Sequence, residues 1–155
     1  MKTAIVYYSK HHGNTKQLVD ALAEAFDSID LIDAAAAPDA DLRGYERVGF
    51  ASGIYYSKFH KSVLQWAEQR LPAGAKVFFL YTCGADKAGY TAAIARIAAQ
   101  KNAVILGEYG CPGLDTFGPF KLIGGIAKGH PNEEEMSRAV QFYADLTEKA
   151  GGPVS

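Results

Sequence analysis

Five short apolar runs, separated by amphipathic stretches, make up the pattern of this chain. The runs at residues 3–8 and 77–81 are apolar on both faces, which is typical of central parallel strands that helices cover on each side. The run at 29–33 partly alternates and carries two aspartates, so we expect it near an edge of the sheet. The five predicted strands are residues 3–8, 29–33, 47–53, 77–81 and 104–109.

Apolar residues at helical spacing predict helices between these strands and after the last one. The final helix has the clearest start, because Asn132 follows a proline and Glu135 comes three residues later, which is a capping-box pattern. A short helical turn is predicted at residues 41–45. Strict alternation of strands and helices predicts an α/β fold, a doubly wound parallel sheet in three layers, formed by residues 1–150 as a single domain. Residues 151–155 are expected to form a frayed tail.

Three loops of such a fold are candidates for a binding site. Ligands bind outside the carboxyl ends of the strands, at the point where the strand order reverses. The loops that follow the first, third and fourth strands are residues 9–15, 52–60 and 82–90. We therefore expect a ligand to contact all three.

The first loop turns directly from a strand into a helix. The start of a helix has unpaired backbone N–H groups and partial positive charge, which together favour an anion. The chain has neither a G-x-x-x-x-G-K-[ST] nor a G-x-G-x-x-G pattern, so a single terminal phosphomonoester fits better than a triphosphate or a dinucleotide. A plain strand-to-helix turn capped by Asn14 or Thr15 is the alternative. The predicted phosphate-binding residues are Ser9, Lys10, His11, His12, Gly13, Asn14 and Thr15.

The second and third loops suit a flat heteroaromatic ring. Tyr55 and Tyr56 could supply a stacking surface, whereas we expect Phe59 to pack onto the following helix. Small residues in the third loop allow the backbone to approach the edge of a ring. The predicted contacts are Ser52, Gly53, Ile54, Tyr55 and Tyr56 in the second loop, and Thr82, Cys83, Gly84 and Tyr90 in the third.

The first loop resembles the phosphate loop of the flavodoxin family. The match consists of Ser9 and residues 13–15, read as Gly-Asn-Thr; His11 and His12 depart from it, because flavodoxins carry threonines there in a loop one residue shorter. The resemblance implies a flavodoxin-like sheet in the order 2-1-3-4-5, with FMN bound noncovalently at the three loops. It also implies an electron-transfer protein whose partners are other redox proteins, a reductase and an acceptor. The cofactor would run the chemistry, so no catalytic side chain and no metal ligand is assigned.

The second loop departs from flavodoxins that shuttle single electrons. Those proteins place a glycine and then acidic residues after the stacking aromatic, whereas Tyr55 is followed here by Tyr56, Ser57 and Lys58. The stretch Ile54-x-Tyr56-x-x-Phe59-His60 instead resembles the bacterial, menaquinone-linked protoporphyrinogen oxidase. The alternative function is therefore an FMN-dependent oxidoreductase acting on a quinone or porphyrinogen as small-molecule acceptor, and the choice between carrier and enzyme stays open.

Lysines and histidines around these loops predict a positively charged rim. The rim could receive carboxylates of a small molecule or of an acidic protein partner; the alternative is that these are ordinary solvated side chains. Its members are Lys10, His11, Lys58, His60 and Lys61.

The composition limits the class of protein and the cellular compartment that we expect. The 155 residues are 48% hydrophobic and 21% charged, as in ordinary globular proteins. The net charge of −1 and the strand-length apolar runs give no case for nucleic acid binding or membrane insertion. Cys83 and Cys111 are the two cysteines, too few for a disulfide framework or a metal pattern. We expect them to be buried structural thiols in a cytoplasmic protein, with a redox-active pair as the alternative.

Rival classes with a similar topology lack their own signatures. A phosphoacceptor receiver domain needs aspartates where this chain has Ser9 and Ser52, and no G-x-S-x-G elbow follows a strand as in serine hydrolases. A binding module without redox activity stays open. The segment 110–132 exceeds what the minimal fold needs, and we predict that it folds back over the same sheet end.

Overall fold

The computed structural model describes residues 2–9, 13–36, 40–83, 89–112 and 131–151. Strands and helices alternate along the chain as the hydrophobic pattern predicted. The elements are β1 (Thr3–Tyr8), α1 (Asn14–Ala25), β2 (Ile29–Asp33), β3 (Arg47–Tyr55), β4 (Lys58–Phe59), α2 (Lys61–Arg70), β5 (Lys76–Cys83), α3 (Ala92–Gln100), β6 (Val104–Pro112) and α4 (Glu133–Gly151).

The strands form one twisted layer in the order β2-β1-β3-β5-β6, and all of these neighbours are parallel. This order is the predicted 2-1-3-4-5 arrangement of five parallel strands, which is confirmed. The two-residue β4 is an addition that the pattern did not reveal; it pairs antiparallel with the end of β3.

Two hydrophobic cores lie on opposite faces of the sheet. Phe50 and Phe79 belong to the core under α2 and α3, and Ile5 and Leu80 belong to the core under α1 and α4. Adjacent residues of one strand therefore serve different cores, as the alternation of side chains along a strand requires. This explains why the central strands are apolar on both faces.

The start of α4 confirms the predicted capping box. The backbone N–H of Asn132 donates to Glu135 Oε1 over 2.8 Å, and the backbone N–H of Glu135 donates to Asn132 Oδ1 over 2.8 Å. Each residue thus satisfies one backbone donor of the other. The helix continues through Gly151, and residues 152–155 of the predicted tail lie outside the described residues.

Residues 41–45 form a turn, so the prediction of a short helix there was wrong. The Asp41 carboxylate accepts the backbone N–H of Arg43 at 2.9 Å and also pairs with its guanidinium. A side chain that hydrogen-bonds its own neighbouring backbone offers an alternative to helical hydrogen bonds. Among the described residues, no helix combines the length and apolar character that crossing a membrane requires.

Candidate functional site

The carboxyl ends of β1, β3 and β5 lie side by side at one edge of the sheet. In the strand register, Tyr8 of β1 is opposite Ser52 of β3, and Gly53 of β3 is opposite Thr82 of β5. The structure therefore brings together the starts of the three loops that the sequence singled out. Of the predicted site residues, Lys10, His11, His12 and Gly84 lie outside the described residues.

The turn after β1 is closed by hydrogen bonds to its own helix. The backbone N–H of Lys16 donates to Ser9 Oγ over 3.1 Å. This bond uses a lone pair of the hydroxyl and leaves its O–H able to donate to a ligand. Gly13 is the N-cap residue of α1, with φ of 65° and no side-chain cap, so neither Asn14 nor Thr15 caps the helix. Asn14 and Thr15 instead form its first turn, where backbone N–H groups have no carbonyl partner within the helix.

Thr15 and Thr82 join the first loop to the third. Their hydroxyl oxygens are 2.9 Å apart, and both side chains are buried. One hydroxyl donates to the other, so this buried hydrogen bond links α1 to the carboxyl end of β5. These two predicted contact residues thus have a structural partner in each other.

The predicted loop after β3 contains a tight hairpin. Ile54 pairs with Phe59 and Tyr55 with Lys58. The two residues between them, Tyr56 and Ser57, have φ of 53° and 66°, which is the backbone combination of the type I′ turns that join adjacent strands. The β3 strand therefore extends two residues beyond its predicted end.

The two tyrosines of this hairpin have different environments. Tyr55 is half-buried and lies across Gly53, where an added Cβ would be 3.4 Å from its ring. Burial and the nearby Tyr8 hydroxyl raise the pKa of Tyr55. Tyr56 is 91% exposed. As predicted, Phe59 is buried; its ring lies edge-on to Phe79 with the centroids 6.3 Å apart.

His60 connects β1, β3 and α2 in a way that the sequence did not reveal. Its ring stacks on Tyr8, with centroids 3.7 Å apart and planes 6° from parallel, and meets Tyr55 edge-on at 5.0 Å. Its backbone N–H donates to Ser52 Oγ over 2.9 Å. Its Nδ1 accepts the backbone N–H of Ser62 over 3.1 Å and so caps α2. Histidine is not among the preferred N-cap residues, so the composition gave no signal for this role.

The capping bond also fixes the tautomer of His60. Because Nδ1 accepts a backbone proton, the proton of the neutral ring is on Nε2. His60 was predicted to belong to the positively charged rim. The structure shows that it also holds the aromatic residues Tyr8 and Tyr55 in place.

The third loop begins in a buried environment. Cys83 and Tyr90 are 7% and 8% exposed, and the Tyr90 ring meets Tyr81 edge-on with centroids 5.7 Å apart. Both predicted contact residues are therefore largely covered by the protein.

Both cysteines are buried and free, as expected. Cys111 is opposite Thr82 in the register, and Thr82 precedes Cys83, so the two thiols lie on opposite faces of the sheet. Burial raises the pKa of the Cys111 thiol to about 12. This geometry favours structural thiols over a redox-active pair.

A cavity of about 340 Å³ lies at the other edge of the sheet. It is lined by residues 42–46 and 72–75, which precede β3 and β5, and by Val48 and Lys76 at the starts of these strands. The cavity is therefore a strand length away from the three loops. Within the described residues, no group of three or more His, Cys, Asp or Glu side chains is arranged to hold a metal ion.

The fold and these loops define a flavodoxin-like α/β protein, and comparison with known families agrees. The flavodoxin domain model matches residues 5–106, so the chain belongs to the flavodoxin domain family, as the resemblance of its first loop predicted. The chain is 35% identical over 149 residues to an uncharacterized protein of Methanocaldococcus jannaschii, covering 94% of this chain and 98% of that protein.

Solved structures with the same fold include two that span nearly the whole chain. A flavodoxin from the domain Archaea has a TM-score of 0.68 at 16% identity, with 96% of this chain and 99% of that chain covered. General stress protein 14 of Treponema denticola, solved in complex with FMN, has a TM-score of 0.60 at 14% identity, with 94% and 99% covered. At these identities the likeness establishes a shared fold.

Proposed function

We propose that this protein binds FMN at the carboxyl edge of its sheet and transfers electrons to and from partner redox proteins. The observation that carries the proposal is that two different surfaces lie between β1 and β3, at the point where the strand order reverses. A helix start with hydroxyl and N–H donors follows β1, and an aromatic hairpin follows β3. Membership of the flavodoxin domain family supports FMN as the cofactor, and so does the FMN complex of the Treponema denticola protein.

The donors at the start of α1 fit a phosphomonoester. The Ser9 hydroxyl and the N–H groups of the first helical turn are neutral donors, and the helix adds partial positive charge. The other members of the predicted phosphate site are Lys10, His11 and His12, which would add positive charge. These residues would bind the phosphate and fix where the rest of the cofactor begins.

The hairpin after β3 and the loop after β5 would hold the isoalloxazine ring. Tyr55 is fixed by Tyr8 and His60, whereas Tyr56 is free to turn its face to a ligand. The backbone around Gly53 and Gly84 would approach the ring edge. When bound, FMN supplies reversible one- and two-electron chemistry, and the protein positions the ring and covers part of it.

Titration of the purified protein with FMN tests this proposal. Binding is expected to quench the flavin fluorescence at a ratio of one FMN per chain. Ser9→Ala removes a phosphate donor and should weaken binding by about tenfold, the equivalent of one hydrogen bond to a charged group. Ser28→Ala, at the other edge of the sheet beside the start of β2, is the matched control and should bind as the wild type does. A protein that takes up no FMN would overturn the proposal.

A second candidate is an FMN-dependent oxidoreductase that reduces or oxidises a quinone or porphyrinogen. The observation that favours it is the exposed face of Tyr56 beside the exposed Lys58, since a flat ring could stack on the tyrosine and a carboxylate could pair with the lysine. Turnover of a soluble menaquinone analogue or of protoporphyrinogen by the FMN-loaded protein would identify this activity. A protein that exchanges electrons only with other proteins is a carrier.

A further inference from the structure

The two outermost strands of the sheet differ in how they are protected. β2 carries Asp30 and Asp33, and Asp30 pairs with Lys2 and accepts the Tyr45 hydroxyl. Charged side chains on an outer strand are a common protection against pairing with another chain. β6 is the outermost strand on the opposite side, and within the described residues it pairs with β5 alone. Its other row of backbone N–H and C=O groups faces away from the sheet.

The amino end of β6 exposes apolar side chains. Val104 and Ile105 are the first two residues of the strand, and they are 53% and 44% exposed. Among the described residues the third exposed large hydrophobic side chain is Tyr56, at the carboxyl end of the sheet. Two adjacent exposed aliphatic residues on an outer strand without charges favour a surface that another chain covers.

The rest of β6 carries the protection that its amino end lacks. The register with β5 shifts after Ile105, which leaves Leu106 as an extra residue, a β-bulge. Glu108 is exposed and adds a charge. Bulges and charges both limit pairing along an outer strand. A contact with another chain is therefore expected at the first two residues of the strand.

Opposite charges flank this exposed pair at equal distances along the chain. Lys101 comes three residues before Val104, and Glu108 comes three residues after Ile105. Lys101 is the C-cap residue of α3. Glu108 lies on the face of β6 that α3 covers, since its Oε1 accepts the hydroxyl of Thr91, the N-cap residue of that helix, over 2.9 Å. Neither Lys101 nor Glu108 forms an ion pair with a residue that the structure describes.

A two-fold axis at the exposed pair makes this pattern complementary to itself. Such an axis reverses the direction of the strand, so it brings Lys101 of one copy toward Glu108 of the other, and the reverse. An axis perpendicular to the sheet also keeps the α3 faces of both copies on the same side. Ile105 is opposite Val77, which belongs to the core under α2 and α3. The two copies of Ile105 therefore meet on the same side of the sheet as the charges.

We propose that a second copy of this chain docks at the amino end of β6, about a two-fold axis close to Val104 and Ile105. We call the set Lys101, Val104, Ile105 and Glu108 the β6 surface. In the dimer the four aliphatic side chains exclude water at the centre, and two ion pairs between Lys101 and Glu108 fix the orientation. The centre of this contact is at the opposite end of the strands from the three loops, so the inference is independent of the proposed function.

Sedimentation velocity of the purified full chain tests this proposal. The sedimentation coefficient should rise toward that of a dimer as the concentration is raised to about 0.5 mM, because a contact this small binds weakly. Ile105→Asp should weaken dimerisation by about tenfold or more, since it brings two carboxylates together at the axis.

The matched control removes the exposed aromatic residue at the carboxyl end of the sheet. Tyr56→Ser should dimerise within about twofold of the wild type, because its side chain lies outside the contact. A wild-type chain that stays monomeric at about 0.5 mM overturns the proposal. Equal weakening by Ile105→Asp and Tyr56→Ser also overturns it.

A charge swap tests the two-fold arrangement itself. Lys101→Glu and Glu108→Lys should each weaken dimerisation by about fivefold at low ionic strength, because each brings like charges together. The double variant Lys101→Glu/Glu108→Lys has opposite charges across the axis again and should return to within about twofold of the wild type. Lys61→Glu changes the net charge by the same amount at the start of α2 and should dimerise as the wild type does. A double variant as weak as the single variants contradicts the ion pairs and the axis.

Cross-linking provides a second readout that depends on position. Val104→Cys places a thiol beside the axis, whereas the native Cys83 and Cys111 are buried. A short bismaleimide should join two copies of Val104→Cys but leave Tyr56→Cys monomeric at the same concentration, and adding Ile105→Asp to Val104→Cys should abolish the product. Circular dichroism verifies that each variant is folded. Equal cross-linking at both positions would indicate random collision and overturn the proposal.

Discussion

The turn after β1 and the hairpin after β3 leave neighbouring strands at the same edge of the sheet, yet they are built in opposite ways. The turn places a glycine, Gly13, at positive φ and directs the Thr15 hydroxyl to a partner inside the protein. The hairpin places Tyr56 and Ser57 at positive φ and exposes the tyrosine. The comparison indicates that local sequence specifies the turn, whereas packing of the flanking residues imposes the shape of the hairpin.

The largest effect is expected from removing the residue that anchors the hairpin. Phe59→Ala should lower the free energy of unfolding by about 3–5 kcal/mol, because it empties a buried aromatic site in the core under α2 and α3. Urea unfolding measures the change. Lys58→Ala, one residue earlier and exposed, is the control and should change stability by less than about 0.5 kcal/mol. A small effect of Phe59→Ala would show that the turn residues themselves hold the hairpin.

The turn after β1 depends instead on a polar contact. Thr15→Val should lower the free energy of unfolding by about 1–3 kcal/mol, because it leaves the Thr82 hydroxyl buried without its partner. Thr82→Val should do the same from the other side. The double variant should be less destabilised than the sum of the two, since both polar groups are then gone. Strict additivity of the two changes, measured by urea unfolding, would mean that the hydroxyls do not interact.

Gly13 is expected to stabilise the turn only through the backbone conformation that glycine can adopt. An added Cβ at Gly13 would meet only the Cβ of Lys16, at 4.0 Å, so there is room for a side chain. Gly13→Ala should nevertheless lower the free energy of unfolding by about 1 kcal/mol, because φ of 65° is unfavourable for alanine. Gly74→Ala is a control of the same type, also at positive φ with open space around it. If Gly13→Ala is neutral while Gly74→Ala is not, the turn can adopt another backbone conformation.

The sequence predicted the turn better than the hairpin because residues close together in the chain specify the turn. The two-faced apolar strands and the capping box of α4 follow from patterns within a few residues, whereas the strand order was implied by the resemblance of the first loop to the flavodoxin family. Gly13 and the polar residues beside it likewise carry a local signal. The hairpin has none, because Tyr-Ser is an unfavourable sequence for a type I′ turn, and its pairing depends on the burial of Phe59. The stacking of His60 on Tyr8 joins residues more than 50 positions apart, and no spacing rule could have revealed it.

The smallest effect is expected from a substitution that tests whether the hairpin is strained. This substitution should raise the free energy of unfolding, whereas Gly13→Ala in the turn should lower it. Ser57→Gly should raise the free energy of unfolding by about 0.5–1 kcal/mol, because glycine adopts φ of 66° without the penalty that serine incurs. Ser57→Ala keeps the Cβ and should give no such gain. Thermal and urea unfolding of the two variants side by side measure the difference. If glycine destabilises the protein at position 57, the hairpin is not under strain.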